Sequence, residues 1–431
     1  MNNSRLLRFG GVAVGVGALA LTGCAPATGS APGAESGSGE DVTLTIWSWR
    51  VEDQAKYDAI FDVYEEAHPG VTINFETYTN GSDYLQILTT GLTGSNADGP
   101  DIVQVQGYST IQRFIDGGNL VAIDDLVPGL DNIDQDALLA STGVADGKIY
   151  GVPFATQQLA MWYNAGIFEE LGLAAPETWD EFIALNREVA DAGYTPLAVG
   201  AADAWTLSIV HSVVGTGTFG GNELGEAITA GETGFTDPAF VDSLQAVADL
   251  QPYMPKGVTG VAYTEAQTLF LSEQAAMFPS GSFEQSFLQS SNPDLELGVF
   301  TVPGRGGEPG AVTAYQDGSF AINTNSDEQE AAAELLEWMT TPEFGQLFVD
   351  NLLQPSPVQG VEYSDPIMNE FARLYGENPQ KYLVYTDFRW GTPSATEILQ
   401  PGLQSLFLGE TDAAGLAASL DEGVAEWLHA E

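Results

Sequence analysis

Three stretches of this chain set aromatic rings beside amide or carboxylate side chains. Trp47, Trp49, Glu52 and Asp53 form the first, Tyr78 and Asn80 the second, and Gln106 and Tyr108 the third. The C–H faces of a sugar ring are apolar and pack on aromatic rings, while its hydroxyls each need a planar donor or acceptor. Rings and planar polar groups in one place therefore suit carbohydrate binding. A single tryptophan in such a position is more often core, so the repetition carries the weight.

Other chemistries are poorly supplied. His68, His211 and His429 are far apart, and Cys24 is the only cysteine, so a zinc site built on these residues is not expected. Neither a Gly-x-Ser-x-Gly elbow nor a Gly-x-x-x-x-Gly-Lys-Ser/Thr loop occurs, and no cofactor is expected. Glycoside hydrolysis needs two carboxylates flanking the bond. Sixty acidic residues always offer a pair, so a secreted hydrolase stays open as an alternative. Twelve basic residues against those sixty give a net charge of −48. Affinity for nucleic acid comes largely from lysine and arginine, so nucleic acid is not an expected partner. An anionic membrane surface or polyanionic ligand is disfavoured by the same long-range field, and a neutral or cationic ligand is favoured.

The elements that must position these residues can be read from periodicity. Val42–Trp49 alternates apolar and polar residues as a β-strand does. A helix follows, with Asp53 as its N-cap and Ala55, Ile60, Phe61, Tyr64 and Ala67 on one face, until His68-Pro69-Gly70 stops it. Strands are expected at 71–77 and 101–105, with an amphipathic helix between them. Strand–helix–strand–helix–strand implies right-handed crossovers and a parallel sheet. In open sheets of this kind ligands bind beyond the carboxyl ends of the strands, which is where all three mixed stretches lie. Thr178 with Glu181, and Asp327 with Glu330, have the spacing of capping boxes, and Pro342 suits the first position of a helix. The Gly-rich stretches 214–235 and 304–317 read as cleft loops.

The N-terminus has a different character. Arg5 and Arg8 precede an apolar run that ends near Leu21, shorter than the roughly 20 residues a membrane helix needs. A cleaved leader over residues 1–23 is expected. Leu21-Thr22-Gly23-Cys24 resembles the lipobox of bacterial lipoproteins, which implies a diacylglycerol on Cys24; an ordinary signal peptide beside a free thiol is the alternative. Residues 24–40 are rich in Ala, Gly, Ser and Pro and cannot bury enough surface to fold, so they read as a flexible tether. About 390 residues remain, which suits two domains.

Gly147-Lys148-Ile149-Tyr150-Gly151-Val152-Pro153-Phe154, Met161-Trp162-Tyr163-Asn164 and Pro176-Glu177-Thr178-Trp179-Asp180-Glu181-Phe182 occur in that order. With Pro100–Val103, Ala276–Ser282 and Gly318–Ile322 they resemble family 1 extracellular solute-binding proteins, the sugar-binding lipoproteins of ABC importers related to the maltose-binding protein. The resemblance runs from about residue 42 to the C-terminus. It implies an α/β fold of type II with two lobes, each an open, mainly parallel sheet flanked by helices, joined by hinge crossings. The division it suggests is 41–153 with 311–355 for lobe 1, and 154–310 with 356–431 for lobe 2. By resemblance, Trp47, Trp49, Gln106 and Gln157 line the cleft and Gly281-Ser282 brings backbone to the ligand. Trp205 and Trp390 are stacking platforms, Phe283 stands where relatives often carry tryptophan, and Asp317 accepts a hydroxyl. The implied function is delivery of a neutral di- to tetrasaccharide to an ABC permease by a monomeric receptor. That receptor would be lipid-anchored on the outer face of a bacterial, Gram-positive membrane and would not be an enzyme. A receptor for a peptide or polyol is the other alternative.

Overall fold

A computed structural model describes residues 41–78, 82–94 and 99–428. The leader, Cys24, the tether, Asn80 and His429 lie outside the described residues.

Among the described residues, eleven strands form two sheets, one of five and one of six strands. In chain order they are β1 (Val42–Ser48), β2 (Val71–Thr77), β3 (Ile102–Gln106), β4 (Val152–Pro153) and β5 (Thr156–Asn164). Then come β6 (Thr195–Leu197), β7 (Ala275–Gly281), β8 (Leu297–Phe300), β9 (Val312–Gln316), β10 (Gly318–Ile322) and β11 (Pro379–Lys381). The first sheet runs β2-β1-β3-β10-β4, with β1, β2 and β3 parallel and β10 antiparallel to β3. Helices lie between the successive parallel strands, as expected. The helix Gln54–Ala67 packs on this sheet through Tyr57, Ile60, Phe61 and Tyr64. Ala55 and Ala67, expected on its inner face, are exposed, and Tyr57 takes the buried position.

The second sheet runs β11-β9-β5-β7-β6, with β8 also on β5. Here β5 runs against its partners β7, β8 and β9, while β6 and β11 pair in parallel, so the sheet is mixed in its hydrogen bonding. A large apolar core gathers around one side of it, from Leu159 and Phe182 to Phe240, Phe388 and Leu420. A smaller one holds Trp162, Phe278 and Phe371.

The chain passes between the two lobes three times. It leaves β4 for β5, returns from β9 to β10, and leaves the first core again after the helix Pro342–Leu352. These crossings lie side by side, hydrogen-bonded from Asp317 N to Ala155 O (3.1 Å) and from Thr156 N to Pro355 O (2.9 Å). The second crossing falls at Asp317 rather than near residue 311, because Val312–Gln316 pairs with Thr156–Leu159 in the second sheet. The third falls later than residue 355, since Val358 still belongs to the first core.

Two local expectations are corrected. Residues 204–219 form a largely buried helix, and Asn222–Thr229 forms another, so most of 214–235 is not loop. Gly217 serves packing: a Cβ there would lie 2.8 Å from the backbone N of Gly304. The helix expected to start at Asp327 begins at Gln329 and has no side-chain cap. By contrast, Thr178 accepts from Glu181 N (3.2 Å) and Thr341 from Phe344 N (3.3 Å), as a cap does.

Candidate ligand site between the two sheets

Side chains from both lobes and from the crossings meet in three groups. The first surrounds Gln157 at the start of β5. Its amide N donates to Asp317 Oδ2 (3.1 Å) and Gln354 Oε1 (2.8 Å), and its Oε1 accepts from Ser282 Oγ (2.8 Å). Asp317 lies 3.5 Å from Arg50 Nη1, and Arg50 forks onto Asp53 Oδ2 through Nε (2.9 Å) and Nη2 (2.5 Å). Burial works against the Arg50 cation, but Asp53, Glu52 and Asp317 together outweigh it and hold its pKa above the ordinary value. For Asp317 burial wins and pushes the carboxyl up, although Arg50 and the Gln157 amide pull it down. The two directions agree with the distances, because Asp53 is the near partner and Asp317 the far one. Lys56 Nζ donates to Ser286 Oγ across the lobes. Glu284 is buried and accepts from Gln267 (3.0 and 3.3 Å); burial, with Glu52 and Asp53 nearby, pushes its carboxyl well up.

The second group is aromatic and lies at the end of β3. Tyr108 has φ +61°, a backbone conformation that costs a residue with a side chain about 1–3 kcal/mol. It places the ring edge-on to Tyr385 (5.8 Å) and Trp390 (5.4 Å) of the second lobe. Its hydroxyl accepts from Gln316 N (3.3 Å), and burial raises its pKa to about 12 against the pull of that amide and of Arg389. Arg389 stacks over Tyr385, 3.7 Å from the ring centre, and donates to Thr110 Oγ1 (2.9 Å) and Gln106 Oε1 (3.4 Å) in the first lobe.

The third group lies on the second lobe. Trp205 meets Tyr263 at 4.6 Å and Phe283 at 6.4 Å, both edge-on. With Ala198, Phe278 and Ser280, Trp205 and Tyr263 line a mainly apolar recess. The Tyr263 hydroxyl is buried there without a hydrogen-bond partner. Gly281 must be glycine for this arrangement, since a Cβ would stand 2.2 Å from the Phe283 ring.

Contacts and chain neighbours link the three groups into one continuous line of residues. It runs from Trp205 through Phe283, Ser282, Gln157, Asp317 and Gln316 to Tyr108 and Trp390. Ten sequence candidates are therefore placed near one another: Gln106, Tyr108, Gln157, Trp205, Gly281, Ser282, Phe283, Asp317, Trp390 and, through Arg50, Asp53. Four others behave differently. Trp49 is 5% exposed and packs in the first core between Tyr84 and Phe154, so its ring offers no free face. Trp47 and Tyr78 pair with each other at 5.0 Å, with Trp47 pressed against Gly91. Glu52 is exposed, 3.8 Å from Arg50 Nε. Asp53 occupies the expected N-cap position, but its side chain makes no cap hydrogen bond; its carboxylate is drawn to Arg50 instead. Tyr263, Glu284, Tyr385 and Arg389 escaped sequence reasoning. The available signal was scarcity, since basic residues are few and two of them sit beside tryptophans. Among the described residues, no group of three His, Cys, Asp or Glu side chains is placed to hold a metal ion.

Residues 48–346 match the family described as bacterial extracellular solute-binding protein. The chain belongs to that family. A multiple sugar-binding protein of Streptococcus mutans is 25% identical over 369 residues, covering 80% of this chain and 82% of the relative. Among solved structures, a chitin oligosaccharide binding protein superposes with a TM-score of 0.75 at 23% identity, covering 91% of this chain and all (100%) of the other. A solute-binding protein in complex with raffinose gives 0.73 at 22% identity, covering 90% and 100%. This solute-binding protein thus has the two-lobed α/β fold of those structures. Among its described residues no helix is long and apolar enough to cross a membrane.

Proposed function

We propose that this solute-binding protein is the receptor of an ABC importer and carries a neutral di- to tetrasaccharide between its lobes to the permease. One observation carries the reading: rings and planar polar groups from both lobes converge on the three crossings. Trp205, Phe283 and Trp390 are half-buried and offer apolar faces, and the half-buried amide of Gln106 offers a partner for hydroxyls, while Gln157, Ser282 and Asp317 form the bonded floor between them. The sugar-binding names of the relatives support the same choice, and the chain-wide negative charge favours a ligand without an anion.

The mechanism follows from the topology. Adjacent crossings let the lobes swing as bodies, and sugar favours the closed arrangement only by contacting both lobes at once. The acidic groups near the line are already engaged: Asp53 and Asp317 with Arg50, and Glu284 with Gln267. A receptor that leaves glycosidic bonds intact fits them better than a hydrolase, whose two carboxyls must face the bond. The same reading has a lipid on Cys24 and a monomer tethered on the outer face of a Gram-positive membrane.

A thermal-shift screen with raffinose, maltotriose and chitobiose tests it. A sugar at a hundred times its dissociation constant adds about 2.7 kcal/mol to stability, and chromatography afterwards should recover the sugar uncut. Shortened products would make the protein a hydrolase, and no shift with any oligosaccharide would end the sugar reading.

A further inference from the structure

The chain carries twelve basic and sixty acidic residues. Among the described residues, Arg50, Lys56, Arg113, Arg305, Arg373 and Lys381 each have a carboxylate within 4.0 Å. Lys148, Arg187 and Lys256 are exposed to water. Arg389 has neither. It is 8% exposed, no carboxylate lies in ion-pair range, and its Nη1 is buried without a partner. In a chain so rich in acids, this omission calls for a reason.

Burying a cation without its counter-charge is costly, and an unmet buried donor adds to that cost. Burial draws the Arg389 pKa down to about 10, with Tyr108, Tyr315, Tyr382 and Asp317 opposing the fall only in part. The guanidinium is nevertheless held firmly. Tyr385 supports one face, and Nη2 donates to Thr110 and Gln106 on the opposite lobe. A cation that is fixed, desolvated and left with a spare donor is arranged to receive something.

We propose that Arg389 grips two adjacent hydroxyl oxygens of the sugar and, through the same guanidinium, clasps the two lobes together. The inference rests on the sugar-receptor reading for its ligand, whereas the clasp stands on the cross-lobe contacts alone. A guanidinium presents coplanar donors that match a pair of neighbouring oxygens. Its surroundings (Gln106, Tyr108, Thr110, Tyr385 and Trp390) are uncharged, and Asp317 opposes an anionic group in the same space. Because Arg389 hangs from the second lobe and donates to the first, any ligand bonded to it contacts the closed state selectively. That differential contact is what a closure mechanism requires.

The test uses calorimetric titration of the purified protein with raffinose and maltotriose, and X-ray scattering without sugar. Arg389→Met should weaken binding of whichever sugar the wild type takes by ~30-fold, the range of a charged hydrogen bond. Arg389→Lys keeps the charge without the fork and should lose ~10-fold. Thr110→Val removes the nearer of the two clasp acceptors and should enlarge the sugar-free radius of gyration while the sugar-bound form stays compact. Circular dichroism restricts the comparison to folded variants. Affinity within twofold of wild type for Arg389→Met or Arg389→Lys overturns the hydroxyl grip. So does a preference for a uronate-bearing trisaccharide that vanishes in Arg389→Met, because the site would then be one for carboxylates. If no sugar binds the wild type, the receptor reading fails by itself. The clasp is still judged by scattering, and equal radii for wild type, Arg389→Met and Thr110→Val overturn it.

Discussion

Replacing Arg50 by methionine keeps much of the side-chain volume and removes the charge that the first group is built around. The Arg50 side chain is 7% exposed, Asp53 3% and Asp317 9%, so water screens none of them well. Breaking one partner out of a buried ion pair costs about 3–5 kcal/mol, mostly because a carboxylate is left behind. Asp53 retains Lys56 at 3.4 Å and Asp317 retains the Gln157 amide at 3.1 Å, which moves the expectation to the lower end, about 3 kcal/mol. Urea unfolding at pH 7 should show a lower midpoint with an unchanged slope. The pH dependence gives a second handle. Arg50 holds the Asp317 carboxyl down, so without it the already raised carboxyl rises further. An acid whose folded pKa is raised weakens the fold above its unfolded value and less so once protonated. The deficit of Arg50→Met should therefore narrow as pH falls towards 4. Adding Asp317→Asn should restore part of it at pH 7, by about 0.5–3 kcal/mol of coupling. A loss below about 1 kcal/mol at pH 7, or a double variant no more stable than Arg50→Met, refutes the reasoning.

Two further outcomes follow from the same boundary between lobes. Glu284 is raised by burial, with Glu52 and Asp53 adding to it, so wild-type stability should fall as pH climbs above the ordinary carboxylate range. Glu284→Gln should flatten that slope and be more stable near neutrality; parallel urea midpoints from pH 5 to 8 would count against it. Trp205→Ala removes one aromatic face of the recess and should weaken binding of the sugar found in the screen by about tenfold. Unchanged affinity in titration calorimetry would take Trp205 out of the site.

What the sequence disclosed and what it hid have a common physical origin. Strand periodicity is local, so β1, β2 and β3 could be read, and the residues at their ends with them: Gln106 is the last residue of β3, and Tyr108 follows it. Which of those ends turn inward is decided by packing between distant segments. Trp47 and Trp49 look alike in sequence, yet Trp49 is captured by Tyr84 and Phe154, while Trp47 leans on Gly91. Glycines mislead for the same reason. Gly217 suggested a loop but lies in a helix, where its missing side chain admits the backbone at Gly304.

Charged residues were hardest, because a sequence shows the charge and not the desolvation. Asp53 stands where an N-cap would, three residues after Arg50, and only the fold reveals that burial turns this spacing into an ion pair. Arg389 follows Phe388 and precedes Trp390, which marks it as a cation entering apolar surroundings, yet its significance lies in a missing carboxylate. The two arginines are thus opposite solutions to one electrostatic problem. Arg50 is surrounded by acids and fixes the crossings, whereas Arg389 hydrogen-bonds only to neutral groups and keeps a donor in hand. A protein that must open and close needs both: one charge satisfied within the fold, where the lobes are joined, and one left for the ligand to satisfy.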